Sequence, residues 1–112
     1  MQELVAQTDA ELAIFCDDEG ESIALAGPGL DPYDVRVLGA HHAAHVLGAQ
    51  RAARRAGESE RLSIGCVADH RVLLVEALPG GYYVLLALRP DRVWPRARPL
   101  LRAVAERFAA EL

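Results

Sequence analysis

Residues 34–56, laid on a helix, are apolar on two opposite sides, and no other stretch constrains the fold as much. At roughly 100° per residue, Val35, Leu38, His42, Val46, Ala49 and Ala53 form one stripe. Val37, Ala40, Ala44, Leu47 and Gly48 form a second, roughly opposite the first. A surface helix needs one such stripe. A helix with two has to be covered twice, once by its own sheet and once by something else. The expected second cover is another protein chain, so the segment points to an interaction module rather than an enzyme. The residues alone leave open which stripe faces inward.

A chain of 112 residues, 52 % hydrophobic and 25 % charged, suits one globular domain spanning 1–112. No apolar run approaches the roughly 18 residues that a bilayer span requires, so no membrane insertion is expected. Met1-Gln2-Glu3 offers neither a basic start nor a signal-peptide core, and a cytoplasmic location is expected. The net charge of −4 hides a polarity. Residues 1–35 carry nine acids and no Arg or Lys, while residues 36–112 carry twelve Arg against seven acids. Such ends favour oriented protein contacts and do not suggest nucleic acid as a partner. Cys16 and Cys66, flanked by apolar residues on predicted strands, are expected as buried thiols without a disulfide.

The spacing predicts strands over 11–17 and 22–26, joined by the polar turn Asp18-Glu19-Gly20-Glu21. Gly27-Pro28-Gly29 breaks the pattern, and Asp31-Pro32-Tyr33-Asp34 reads as a helix start. The long helix ends at Gly57, with Arg54 and Arg55 in its last turn. Strands follow over 61–68, 71–78 and 82–88, the first two joined by Asp69-His70, residues that tolerate positive φ. A final helix from about Arg96 to the end is expected to bury Ala97, Leu101, Val104, Phe108 and Leu112, with Pro99 in its first turn. The order is strand-strand-helix-strand-strand-strand-helix. The central strands are apolar on both faces, so each face needs a cover. The expected class is α/β (α+β), a three-layer sandwich around a five-stranded, mainly antiparallel sheet.

This order resembles the roadblock/dynein light-chain family over residues 11–112. The resemblance is carried by Ile14-Phe15-Cys16-Asp17-Asp18-Glu19-Gly20, by Asp31-Pro32-Tyr33-Asp34, by Leu38-Gly39-Ala40-His41-His42 and by the closing Tyr82-Tyr83-Val84-Leu85-Leu86. It implies a non-enzymatic regulator or scaffold acting with a Ras-like small GTPase or its effector complex. Family members usually begin with a helix of several turns; here only residues 1–9 precede the first strand, so that helix is expected to be shortened or absent. The face shared with the final helix is then expected to be less covered. The resemblance also implies a homodimer formed by the third strand and the long helix. Leu62, Ser63, Ile64, Gly65, Cys66 and Val67 would pair with their copy, beside Ala40, Ala44, Leu47 and Gly48. The residues agree, since the third strand has no internal charge or Pro, and Ala40, Ala44, Gly48 and Ala52 recur every four positions. Arg51, Arg54 and Arg55 are the candidate contacts to an acidic partner.

Other chemistry is thinner. His41 and His45 are four apart on one helix face with His42 beside them, so a metal-binding protein is one alternative reading. No acid lies within a turn on that face, and interface histidines are the plainer expectation. A small-ligand sensor domain, built on a similar strand order, is the other alternative. The acidic turn lacks the ligand spacing of a calcium loop. No phosphate-binding glycine motif occurs and no nucleophile has a suitable setting, so neither a cofactor nor catalysis is expected.

Overall fold

Leu73 and Val75 alternate with Val72 and Leu74, and Val84 and Leu86 with Leu85 and Ala87, and both sets of side chains find a cover. The computed structural model describes residues 1–28, 31–91 and 94–112, with 32–41 described by backbone alone. Helix α1 (Gln2–Thr8) precedes strands β1 (Leu12–Cys16) and β2 (Ser22–Ala26). Helix α2 (Pro32–Arg55) leads to β3 (Leu62–Val67), β4 (Val72–Ala77) and β5 (Tyr83–Leu88), and the chain closes with α3 (Ala97–Ala110). The five strands form one sheet in the order β2-β1-β5-β4-β3, and every pair is antiparallel. No described helix is long and apolar enough to cross a membrane.

Two cores separate cleanly by strand alternation. Leu12, Ile14, Cys16, Val75, Ala77, Tyr83 and Leu85 meet Ala43 and Val46 of α2 on one face. Ala13, Phe15, Leu74, Val84 and Leu86 meet Leu4 of α1 and Ala97, Leu101, Val104 and Ala105 of α3 on the other. Phe15 stacks on Phe108 with ring centroids 4.3 Å apart. These central side chains are almost wholly removed from water, and each Leu, Ile, Val or Phe among them contributes about 1.5–3 kcal/mol.

Local signals set most boundaries. Pro32 opens α2, where a missing N–H costs nothing. Gly57 (φ 79°) closes it: its N–H reaches the Arg54 carbonyl at 3.1 Å and the Glu58 N–H reaches Ala53 at 2.8 Å. Pro99 is the third residue of α3, as its ring requires. Gly27 (φ 145°) passes so close to β1 that a Cβ would lie 2.4 Å from the Glu11 carbonyl oxygen.

Some expectations need correction. The N-terminal helix has its expected shortened form as α1, but the face it shares with α3 is not left open there, because Leu4, 2 % exposed, seals that end. The thin cover lies instead at β3, which α3 does not reach across to bury. Asp69 and His70 turn the chain, with Ala68 N–H donating to Arg71 O at 2.9 Å, and neither takes a positive φ. Leu112 lies beyond α3 and is 56 % exposed, not buried.

Candidate protein-interaction surface

β3 is a rim of the sheet: β4 pairs with one side of it, and among the described residues no strand pairs with the other. Its register sorts the six predicted residues by face. Leu62, Ile64 and Cys66 oppose Ala77, Val75 and Leu73, on the α2 side. Ser63, Gly65 and Val67 oppose Glu76, Leu74 and Val72, on the α3 side. Leu62 and Ile64 are half-buried against the α2-side core, so the rim offers its backbone and the exposed Cys66 and Val67 rather than those two side chains. Cys66 is therefore a correction: it is an exposed thiol near the end of an edge strand that pairs on one side only, with β4.

The stripe left undecided by sequence is decided by packing. Ala43, Val46 and Gln50 of α2 are buried, with His42, Ala49 and Ala53 half-buried beside them. Ala44, His45, Leu47, Gly48, Arg51 and Ala52 face outward, and a Cβ added at Gly48 would meet nothing within 4 Å. Val35, Val37, Leu38, Ala40 and His41 lie outside the residues whose side chains are described. Ala44, Gly48 and Ala52 thus form a small-residue strip on this face, flanked by His45, Leu47 and Arg51, and the strip permits close approach of a flat partner.

Two contacts tie this face to the rim. Gln50, 2 % exposed, donates through Nε2 to Leu78 O at 2.9 Å and Glu60 O at 3.0 Å. Arg54 pairs with Glu60 at 3.3 Å, an exposed bridge of at most about 1 kcal/mol. Glu60 immediately precedes Arg61 and β3, so the end of α2 and the start of the rim are held together. Arg51 and Arg55 stand exposed beside them.

Sequence reasoning missed Gln50 and a second polar group. Glu76, 6 % exposed on β4, accepts from Ser63 Oγ at 2.8 Å and lies 3.4 Å from Arg102 Nε. A lone acid inside the apolar run Val72–Ala77 was the available signal, since a buried carboxylate needs a partner.

The candidate chemistries are placed as follows. His42 and His45 meet edge to face at 5.7 Å. Among the described residues, no group of three or more His, Cys, Asp or Glu is placed to hold a metal ion. Asp17 Oδ1 accepts the N–H groups of Glu19 (2.9 Å) and Glu21 (3.0 Å), so its carboxylate organises the turn. Cys16 is fully buried, and burial pushes its thiol pKa up, although the Tyr83 hydroxyl donates to the sulfur. Burial likewise pushes the Tyr83 phenol far up. A neutral, sealed thiol of this kind is no nucleophile.

No family model and no curated protein matches the sequence. Solved structures do match. The backbone aligns with MglB of Myxococcus xanthus at a TM-score of 0.85 and 16 % identity, covering 97 % of this chain and 88 % of that one. An MglB described in a tetrameric arrangement aligns at 0.72 and 18 % identity, covering 97 % and 84 %. A Roadblock/LC7 domain from Streptomyces avermitilis aligns at 0.75 and 18 % identity, covering 96 % and 92 %. A mixed α/β chain with one antiparallel five-stranded sheet between α2 and the α1–α3 pair, aligned at this length, has the roadblock/LC7 fold.

Proposed function

We propose that the protein is a non-catalytic, cytoplasmic regulator or scaffold. It forms a homodimer through β3 and the outward face of α2, and binds a Ras-like small GTPase or its effector complex through a surface that includes Arg51, Arg54 and Arg55. One observation carries the reading: a charge-free edge strand lies beside an exposed, small-residue helix face that Gln50 holds in place. The ends of β3 also suit its own copy. Antiparallel pairing centred on Gly65 sets Arg61 of one copy opposite Asp69 of the other. An isologous joint of this kind closes at two subunits. Likeness to MglB and to a Roadblock/LC7 domain supports the GTPase-regulator role by analogy of fold.

The test has two arms. Cys66 is the exposed thiol and Cys16 the sealed one, so a short bismaleimide should link two chains through Cys66. Light scattering should report twice the 12.1 kDa chain mass. A monomer at high concentration, without cross-linking, rejects the dimer. Capture from native extract should recover a small GTPase in its GTP- or GDP-loaded state; recovery of neither rejects the partner.

A further inference from the structure

The sheet face that carries α3 is covered unevenly. α3 lies over β4 and β5, and the single 3-10 turn Trp94–Arg96 leads into it. The α3-side residues of β3 remain exposed, Val67 to 62 %. Between this strand and α3 runs a groove. Its deeper part encloses about 120 Å³ over Gly65, Leu74 and Leu101, with Trp94 and Arg98 on the wall. It continues past Ser63 and Glu76 to Arg61 and Arg102. The depth comes from Gly65, where a Cβ would meet only Leu74 Cδ2, at 3.8 Å.

Size and charge together select the occupant. Small-molecule sites usually enclose about 300–1,000 Å³, so this cavity suits a single side chain rather than a cofactor. Its one carboxylate, Glu76, is already engaged by Ser63 and Arg102. Arg61 and Arg98 are exposed around it, so the rim is cationic. A polypeptide that offers one aliphatic side chain flanked by acids satisfies both features.

We propose that this groove docks a short acidic segment of a partner protein, seating one aliphatic side chain over Gly65 between Trp94 and Leu101, with carboxylates on Arg98 and Arg61. The groove lies on the opposite face of the sheet from α2, and the proposal does not rest on the function proposed above.

Trp94 is the only tryptophan, so its emission reports the groove directly. The probe is the peptide acetyl-EDELEDE-amide, with acetyl-KRKLRKR-amide and acetyl-EDESEDE-amide as controls, titrated into the full chain. The expected result is a saturable Trp94 response to the first peptide alone, weakened at least tenfold by either Arg98→Glu or Gly65→Leu. Far-UV circular dichroism should match the parent in both variants, and Cys66 cross-linking should match it in Arg98→Glu, which lies outside the proposed β3 joint. A comparable response to the cationic peptide, or an unchanged response in both variants, overturns the proposal. So does a change in Trp94 emission that follows protein concentration without peptide, because the groove would then hold a second copy. An intact peptide response alongside failed GTPase capture supports this proposal and sinks the other.

Discussion

At β2 the sheet ends in Ile23 and Leu25, 56 % and 50 % exposed, beside the acidic turn Asp17–Glu21. At β3 it ends in Cys66 and Val67, between Glu60-Arg61 at one end and Asp69-His70-Arg71 at the other. Both strands lack internal charge, so exposure of apolar side chains does not separate them. Their flanks do. Two β2 strands paired antiparallel about Ala24 would set Glu21 opposite Gly27 and gain no ion pair, whereas two β3 strands can oppose Arg61 with Asp69. β2 is also irregular, with its register to β1 shifted between Phe15 and Cys16, and such shifts discourage a further strand. An exposed edge becomes a joint when its surroundings tolerate a copy, and greasiness alone is a poor guide.

The largest effect should come from the anchored end of β2. Gly27→Ala forces a Cβ into the Glu11 carbonyl at a φ that L-residues avoid, and urea unfolding should record a loss of about 3 kcal/mol. A loss below about 1 kcal/mol would mean that this rim is loosely held. Gly48→Glu should separate the two levels of structure. It places a charge and its copy in the proposed joint, and the dimer Kd should rise about 100-fold, or about 2.8 kcal/mol. The monomer should gain about 0.5–1 kcal/mol, because glycine is a poor helix residue and the site is open. Analytical ultracentrifugation and denaturation together read both signs.

Ser63→Ala should cost about 1–2 kcal/mol, since it strips a hydrogen bond from a buried carboxylate. It tests whether β3 is fastened to β4 by a side chain as well as by its ladder. Asp69→Arg should weaken dimerisation about tenfold at low salt and less at high salt, with monomer stability unchanged. An effect independent of salt would remove the charge argument for β3.

The sealed centre provides the contrast to both rims. Cys16 and Tyr83 face each other across β1 and β5, and burial raises both pKa values above their ordinary 9 and 10. As pH rises, the unfolded chain loses these protons first, so stability is full below about pH 9 and declines above it. The chain has no lysine, so few other side chains titrate in that window. The melting temperature should fall from pH 9 upward, and Cys16→Ala with Tyr83→Phe should flatten the slope.

Much of this was legible in sequence. Alternation in the last three strands gave a sheet covered twice, and Gly57, Pro32 and Pro99 marked helix ends, because those signals are local. What stayed hidden depended on contacts between distant residues. The inward stripe of α2 could not be chosen, since both stripes are rich in alanine and the deciding residue is a buried glutamine. Cys66 reads as a core thiol from its neighbours, yet an edge strand reverses that expectation. Glu76 on β4 finds Ser63 13 positions away on β3 and Arg102 on α3, a triad no spacing rule connects. The groove over Gly65 exists because α3 stops short of β3, which no pattern in either segment records.

Gln50 has one more consequence. Its amide serves two carbonyls from segments that are far apart along the chain, Glu60 and Leu78. Sliding α2 by one helical turn would bring Val46 or Arg54 to that spot, stranding both oxygens with an aliphatic chain or a guanidinium too long for the space. The glutamine therefore works as a key that admits one axial position of the rod, so any force delivered to the helix must tilt or lift it rather than shift it lengthwise.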